Sequence, residues 1–422
     1  MNTKKYFKEI FETNKKHDPV VDGIRALSVL SIIVFHIVVG IIQVFDHDKA
    51  KQYILDIPSL LRPLWHGEKG VDAFFLLSAL VVGIPFFKNI EKFDLHTAKV
   101  FLKKKLLRIY PLFFIALVLY TIAQWSYFGK YFFSNLFFLN NIISGERTII
   151  PVGWFLTVEV QYFVLTPLLF LALKKIKYRG VALTALFLSS IVVCAAVLLK
   201  TPGLYTRPIT DLFLAQDRGE FSDQIGRLFY ESPLTRYGPY VAGFLLAYLR
   251  VFYSAKLAEL FKNKLASAFA LGIAAIFIIV PITVPMYDPN SWFYRPFSVS
   301  RNFWTLVVSR QVFATGIALI ILGGWYSFGG VFKVTSRILG WRAWGPISKL
   351  SFPMYLFHFP FIAIAAVITF GTTNTNMIIS IGIIQGMMIF LLATALTFIF
   401  SIPFYIYIER PIIERGKKIT ES

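Results

Sequence analysis

The sequence predicts an all-α, polytopic membrane protein. Of its 422 residues, 56% are hydrophobic and only 16% are charged, whereas about 25% of the residues of an ordinary soluble domain are charged. Apolar runs close to the ~18 residues that cross a bilayer as a helix recur along the whole chain. Because no stretch is long and polar enough to form a separate soluble domain, we expect one membrane domain between two short tails.

Ten segments have the length and apolarity of membrane spans. They are predicted at about 26–45, 70–87, 109–127, 152–173, 180–199, 238–253, 266–286, 304–328, 346–370 and 377–408. An even number of spans places both termini on the same side of the membrane. We therefore divide the chain into a cytoplasmic N-terminal tail, 1–25, a transmembrane domain, 26–408, and a cytoplasmic C-terminal tail, 409–422.

The basic surplus of the chain fits this topology. The formal net charge is +20, and Lys and Arg outnumber Asp and Glu mainly in the loops on the side of the N-terminus. This is the distribution that the positive-inside rule describes for cytoplasmic loops. The charge therefore indicates a lipid bilayer as partner and not a nucleic acid. Cys194 is the only cysteine and lies in an apolar run, so we expect no disulfide framework and no thiolate metal site.

Two kinds of loop stand out between the spans. Segment 131–143 is rich in Phe and Asn and is predicted to be interfacial or re-entrant, while the longest outer loops are at about 128–151, 201–237 and 287–303. On the inner side, Lys103, Lys104, Lys105 and Arg108 precede the third span. This charge can hold a polyphosphate or anionic lipid headgroups.

Arg25 and His36 lie on one face of the first predicted span. They are eleven residues apart, which on a helix is within ~20° of three full turns and a rise of about 16 Å. Arg25 is then at the cytoplasmic surface and His36 near the bilayer midplane, where an ionisable side chain is costly and indicates function by default. The alternatives are that His36 is a packing histidine and that Arg25 only extends to the lipid headgroups.

Other polar side chains are predicted at a depth comparable to that of His36, at ~1.5 Å per helical residue. Ser78, Glu159 and His358, on spans two, four and nine, are therefore expected to converge with it at one polar site. An unpaired carboxylate is expensive in lipid, so Glu159 should face a partner or a wet cavity. Arg310 is one candidate partner, while Ser78 also fits a small packing residue.

Several short motifs, in order along nearly the whole chain, resemble the acyltransferase-3 family of membrane acyltransferases. They are DGIRALSVLSIIVFH at 22–36, GVDAFFLLSAL at 70–80, WFLTVE at 154–159, RYGPYVAGFLLAY at 236–248, SKLSFPMYLFHFP at 348–360 and IERP at 408–411. That family O-acylates carbohydrates at or beyond the cell surface with a cytoplasmic acyl-coenzyme A donor, and ten spans is its usual number.

The resemblance implies roles for particular residues. Arg25 and His36 correspond to the family's Arg-x10-His pair, and Glu159 to the glutamate of its Trp-Ser-Leu-x-x-Glu-like segment. The family's Arg-x-x-Arg appears here as Lys105 and Arg108, which keeps the charge but removes one bidentate phosphate contact. The predicted site has three parts: catalytic His36 and Glu159; acyl-coenzyme A-binding Arg25, Lys105 and Arg108; and a supporting polar set of Ser78, Asp72, Tyr355, His358 and Arg310.

The expected reaction joins a donor and an acceptor that arrive from opposite sides. A neutral His36 takes the proton of an acceptor hydroxyl as it attacks the thioester, and Glu159 orients the imidazole or stabilises its charged form. An acyl-His36 intermediate is the covalent variant, and it stays open. The acyl-coenzyme A, acetyl first of all, is a co-substrate, and neither a metal nor a permanently bound cofactor is expected.

The expected acceptor is an extracytoplasmic carbohydrate, such as a surface polysaccharide, lipopolysaccharide or a lipid-linked precursor, with the enzyme in a bacterial inner membrane. The main alternative from another class is a transporter or flippase, in which the same buried His, Glu and Arg groups form a proton or substrate relay. A weaker alternative is a membrane scaffold whose polar groups only hold helices together.

Overall fold

The structure is a computed structural model of the chain. It describes residues 3–12, 18–45, 47–58, 60–124, 129–143, 147–207, 226–283, 297–326, 331–378 and 380–418, and within these ranges it contains helices and no β-strand. The all-α prediction is therefore confirmed. In chain order the α-helices are α1 Thr3–Phe11, α2 Pro19–Val44, α3 His47–Asp56, α4 Lys69–Lys88, α5 Leu95–Ala123, α6 Phe132–Leu136, α7 Gly153–Lys175, α8 Arg179–Leu199, α9 Pro233–Phe252, α10 Ser254–Lys262, α11 Lys264–Thr283, α12 Val299–Tyr326, α13 Val331–Leu339, α14 Trp344–Phe370, α15 Ile383–Phe404 and α16 Arg410–Lys418.

The described part of the chain has nine helices long and apolar enough to cross a membrane. They are α2, α4, α5, α7, α8, α11, α12, α14 and the continuous helix Ile383–Gly416, which contains α15. A further pair, Leu228–Phe252 with Ser254–Lys262, is bent by 90° and makes a tenth span if it is counted as one. The chain is thus an integral, multi-pass membrane protein, and α9 of the bent pair corresponds to the predicted sixth span.

The first spanning helix begins earlier than the apolar run alone indicates. The Asp18 carboxylate accepts hydrogen bonds from the backbone N–H groups of Val20 and Val21, at 3.0 and 3.3 Å, and Pro19 occupies the first helical position. A capping carboxylate followed by proline is a strong helix start. As a result α2 already includes Arg25, which lies two turns inside the helix.

The third spanning helix also begins before the predicted apolar segment. The Asp94 carboxylate accepts from the Thr97 N–H at 2.8 Å and caps α5. The basic residues from Lys103 to Arg108 consequently lie on the helix itself and not in the loop before it. Their backbone positions are therefore fixed relative to the neighbouring helices.

Helix α4 occupies the centre of the bundle, because 72% of its apolar window is buried. It packs closely against α9, where a Cβ atom added to Gly243 would lie 2.2 Å from the Leu76 carbonyl oxygen. Only glycine allows the two backbones to approach this closely, as is common for helices packed in membranes. The other side of α4 faces α2 and α7.

Two spanning helices begin in the middle of the bundle and not at its surface. The Ser31 hydroxyl, halfway along α2, lies 3.3 Å from the Gly67 carbonyl oxygen just before α4. Likewise, the Tyr355 hydroxyl, near the middle of α14, donates to the Val152 carbonyl oxygen at 2.8 Å, just before α7. Residues further along α4 and α7 therefore lie deeper than their distance from the helix start predicts.

The segment before α7 folds back into the bundle. The Phe138 ring packs 4.6 Å from the Phe113 ring of α5, and the Gln161 amide of α7 donates to the Phe138 carbonyl oxygen at 2.9 Å. The Asn135 side-chain oxygen accepts a hydrogen bond from the Ile149 N–H at 3.0 Å and so links this segment to the residues before α7. Segment 131–143 therefore packs against α5 and α7, while its interfacial or re-entrant placement in the membrane stays a prediction.

The two tails contact one another. The Tyr6 hydroxyl donates to the Glu414 carboxylate at 2.7 Å, and Arg410 forms an ion pair with Glu9. Both tails thus lie on the same side of the bundle, as an even number of spans requires. The cytoplasmic assignment of that side stays a prediction. Residues 208–225 and 287–296 of the predicted outer loops lie outside the described residues.

Candidate active site

Two histidines from different spanning helices meet inside the bundle. His36 Nδ1 of α2 lies 2.9 Å from His358 Nε2 of α14, and the ring centroids are 4.9 Å apart. His358 is fully buried, whereas His36 is partly exposed. The structure therefore joins the predicted catalytic histidine to one of the predicted supporting residues.

The hydrogen bonds of this histidine pair define which ring nitrogens carry protons. His358 Nδ1 lies 2.8 Å from the Tyr355 carbonyl oxygen, and since a carbonyl only accepts, Nδ1 must carry a proton. In a neutral imidazole the Nε2 of His358 is then an acceptor, so His36 Nδ1 must donate to it. This leaves the lone pair of His36 on Nε2, the nitrogen that a general base uses.

Glu159 lies among basic side chains. Its carboxylate lies near the Ser78 hydroxyl and in the electrostatic field of Lys105, Arg108 and Arg25. The Lys105 ammonium is further held over the Phe163 ring, 4.6 Å from its centroid. The three predicted donor-binding cations thus face one carboxylate.

Two further carboxylates complete this group. Asp22 lies 3.9 Å from Arg25 and accepts from the Ser348 hydroxyl at 2.7 Å. Glu409 Oε1 lies 3.9 Å from Arg108 Nη2. We name the set of Arg25, Lys105, Arg108, Ser78, Asp22, Glu159 and Glu409 the cation cluster. Its three cations are suited to hold a polyphosphate, because charge-assisted hydrogen bonds to phosphate are strong.

The four polar residues expected at one depth form two groups. His36 pairs with His358, whereas Glu159 lies near Ser78 and Arg25. The reason is that α4 and α7 begin in the middle of the bundle, which moves Ser78 and Glu159 away from the level of the histidines. His358 therefore occupies the position beside His36 that the sequence analysis assigned to Glu159, and a catalytic role for Glu159 stays a prediction.

On another side of α4, a second polar group is fully enclosed. Arg236 Nη1 donates to Asp72 Oδ1 at 2.9 Å, and the two side chains are 1% and 0% exposed. The Arg236 guanidinium also lies 4.9 Å from the Trp154 ring centroid and 4.5 Å from that of Tyr230. A desolvated ion pair between aromatic rings fixes α4 to α9.

Arg310 belongs to this second group and not to Glu159. Its guanidinium donates to the carbonyl oxygens of Phe229 and Thr235, at 3.3 and 3.1 Å. Nearby, the Lys69 ammonium donates to the Ser309 hydroxyl at 3.2 Å. We name the set of Glu68, Lys69, Asp72, Arg236 and Arg310 the buried ion-pair cluster.

Sequence reasoning did not single out five of the charged residues in these groups, which are Asp22, Glu68, Lys69, Arg236 and Glu409. Arg236 and Glu409 stood inside the quoted segments 236–248 and 408–411, and Lys69 adjoined the segment 70–80. The available signal was that charged residues of both signs stand in or beside apolar segments, where charges require partners. Within the described residues no three His, Cys, Asp or Glu side chains are placed to hold a metal ion.

Comparison with known proteins identifies the class to which this bundle belongs. The acyltransferase domain that defines the acyltransferase-3 family matches residues 18–406, which include the histidine pair and nearly all of the cation cluster. The chain belongs to this family, and it is therefore a membrane acyltransferase that transfers groups other than aminoacyl groups.

Individual relatives are distant. The chain is 24% identical over 98% of its length to "Regulator of hypoxia-inducible factor 1" of Caenorhabditis elegans and spans 83% of that protein. It is 23% identical over 82% of its length to "Nose resistant to fluoxetine protein 6" of the same organism, spanning 45% of it. It is 21% identical over 99% of its length to the O-acetyltransferase OatA of Staphylococcus aureus, spanning 61% of it. No solved structure matches the chain.

Proposed function

We propose that this membrane acyltransferase moves an acyl group, acetyl first of all, from acyl-coenzyme A to a hydroxyl of an extracytoplasmic carbohydrate. The observation that carries the proposal is the hydrogen-bonded series from the Tyr355 carbonyl through His358 to His36, which leaves a basic nitrogen on a partly exposed ring. The name of the OatA relative, an O-acetyltransferase, supports acetyl transfer to oxygen.

The donor is assigned to the cation cluster. Arg25, Lys105 and Arg108 lie towards the side of the bundle that carries both tails, as a cytoplasmic donor requires. Arg108 is 51% exposed, so its guanidinium is accessible to a phosphate from solution. A phosphate contacted by several cations is held mainly by charge. The acyl arm of the donor then extends along α2 from Arg25 towards His36, about 16 Å along the helix.

The reaction uses His36 Nε2 as the base. It takes the proton of the acceptor hydroxyl while that oxygen attacks the thioester carbon, and the carbon–sulfur bond then breaks. The resulting imidazolium returns the proton to the departing thiolate, so that the histidine is neutral again. His358 stabilises the charged ring because its Nε2 accepts from His36 Nδ1 throughout.

The acceptor approaches from the other end of the bundle. Helices α4 and α7 both begin near the middle, at Gly67 and Val152, so that the segments before them line the approach to the histidines. Transfer between substrates that enter from opposite ends explains why a base is placed at such a costly depth. A bacterial inner membrane, with a surface polysaccharide or lipid-linked precursor as acceptor, fits this arrangement.

The proposal is tested with the full-length protein in lipid nanodiscs, acetyl-coenzyme A labelled on the acetyl carbon, and a panel of polysaccharide acceptors. We expect transfer of label to the carbohydrate, and loss of about 10²–10⁴-fold in rate for His36→Ala, which removes the base. Full transfer by this variant would contradict the mechanism.

The matched control is His96→Ala, which removes an exposed histidine at the start of α5 and should leave the rate unchanged. If wild-type protein transfers no label to any acceptor but carries a labelled carbohydrate across sealed vesicles, the transporter alternative replaces the enzyme.

A further inference from the structure

Glu409 differs from the other two carboxylates of the cation cluster in how it is held. Asp22 accepts a hydrogen bond from Ser348, and the Glu159 carboxylate lies near the Ser78 hydroxyl. Within the described residues the Glu409 carboxylate accepts no hydrogen bond, and its Oε2 is buried without a partner. Its attachment is electrostatic, to Arg108 at 3.9 Å and to the field of Arg25.

A buried carboxylate oxygen without a hydrogen bond is unfavourable. Glu409 is nevertheless only 4% exposed. The compensating factor is charge, since the cluster has three cations, Arg25, Lys105 and Arg108, and Glu409 is the third carboxylate after Asp22 and Glu159. With it the cluster is electrically balanced, and without it one cation at the edge of the membrane interior lacks a counter-charge.

The backbone at Glu409 is anchored more firmly than the Glu409 side chain. Glu409 ends a single π-helical turn, Tyr405–Glu409, between α15 and α16, and such turns commonly occur at functional sites. The next residue, Arg410, is tied to Glu9 of the N-terminal helix. The turn is thus anchored by Arg410, while no residue in the described part of the chain gives the Glu409 side chain a hydrogen bond that would oppose its movement.

We propose that Glu409 is a displaceable counter-ion of the cation cluster, which neutralises Arg108 and Arg25 when no donor is bound and releases them to donor phosphates. This inference rests on the proposed function, because it takes the phosphates of acyl-coenzyme A as the competing anion. Phosphate carries more negative charge and more acceptor oxygens than a carboxylate, and it displaces Glu409 from the exposed Arg108.

The test is equilibrium binding of coenzyme A and, separately, of inorganic pyrophosphate to the full-length protein in phosphatidylcholine nanodiscs, by titration calorimetry. For Glu409→Gln we expect about tenfold tighter binding of each probe, because the competing charge is removed. The same variant should unfold at a lower temperature than wild type without a probe, and coenzyme A should raise its unfolding temperature by more than it raises that of wild type.

Glu259→Gln is the matched control. It makes the same change of charge on the exposed face of α10 and should leave binding of both probes as in wild type. If Glu409→Gln does not fold, Glu409→Asp, which keeps the charge but withdraws it by one methylene, is expected to give a smaller gain in the same direction.

Equal or weaker binding of both probes by the Glu409 variants overturns the counter-ion role. Tighter pyrophosphate binding by these variants, with no binding of coenzyme A by any form of the protein, supports the counter-ion role and rejects acyl-coenzyme A as the donor. The two proposals therefore fail separately.

Discussion

The cation cluster and the buried ion-pair cluster lie on two sides of the same helix, yet their charges are satisfied in opposite ways. Ser78 and Asp72 are six residues apart on α4 and therefore about 120° apart around it. On the Asp72 side, Arg236 is 1% exposed and bonded at 2.9 Å. On the Ser78 side, Arg108 is 51% exposed, with its nearest carboxylate at 3.9 Å.

This difference separates charges that hold the fold from charges that are available to a ligand. An enclosed, hydrogen-bonded ion pair is strongly destabilising when one partner is removed. An exposed, loosely paired cation contributes little to stability, but it is free to exchange one anion for another. The charge of a residue in the sequence does not distinguish these two situations.

The largest expected effect tests whether the buried ion-pair cluster is structural. Arg236→Leu leaves the Asp72 carboxylate uncompensated, and we expect a loss of about 3–5 kcal/mol in the free energy of unfolding. Chemical unfolding in detergent, followed by tryptophan fluorescence, measures it. Arg108→Leu in the cation cluster is the comparison and should cost clearly less, because Arg25 still lies near the buried Glu409 carboxylate.

Adding Asp72→Leu to Arg236→Leu removes the orphaned charge and should restore most of the lost stability. Equal losses for Arg236→Leu and Arg108→Leu would show that the two sides of α4 do not differ as described.

The next effect concerns the histidine pair and should appear in turnover with little change in donor binding. His358→Ala removes the acceptor of the His36 Nδ1 proton, and we expect kcat for acetyl transfer to fall about 10²-fold. The KM for acetyl-coenzyme A should stay within about twofold, because the cation cluster is untouched.

His358→Gln keeps an acceptor oxygen and is expected to retain more activity than His358→Ala. A change in KM as large as the change in kcat would instead indicate that His358 acts only by maintaining the packing of α2 and α14.

The smallest expected effect is a pH dependence of the contact between the two tails, which lie beside the cation cluster. The hydrogen bond from Arg410 lowers the pKa of Glu9 below its ordinary value of 4.5. A carboxyl with a lowered pKa stabilises the folded state above its ordinary pKa and loses that contribution as the pH falls through the lowered value. Attachment of α1 should therefore be constant from pH 7 to about 5 and weaken only below about 4.5.

Hydrogen exchange of the α1 amides, corrected for intrinsic rates, measures this attachment. Because the Glu9 side chain is still partly exposed to water, at 24%, the change should correspond to about 1 kcal/mol or less. Glu9→Gln should lower the protection above about pH 4.5, where wild type keeps the contribution of Glu9, and should remove this pH dependence. Unchanged protection in that variant would mean that the other contacts of α1, such as the hydrogen bond from Tyr6 to Glu414, hold it without Glu9.

Much of the site was predictable because polar residues in apolar runs are rare and conspicuous. The Arg25–His36 spacing and the intramembrane His358, Glu159 and Arg310 all follow from counting along helices. Their grouping did not follow, because the depth estimate took each helix to start at the membrane surface. The hydrogen bonds at Gly67 and Val152 show that two of them start in the middle.

The sequence by itself determined the membrane class, the helical architecture and the family. The length of the apolar segments and the order of the motifs can be read along the chain without knowing which segments contact one another. Only the tertiary structure decided that His358 is the partner of His36, that Arg310 joins Arg236, and that Glu409 reaches Arg108. Partners inside a bundle depend on where helices start, how they rotate and how closely glycines let them approach. These quantities depend on packing between segments that are distant in sequence.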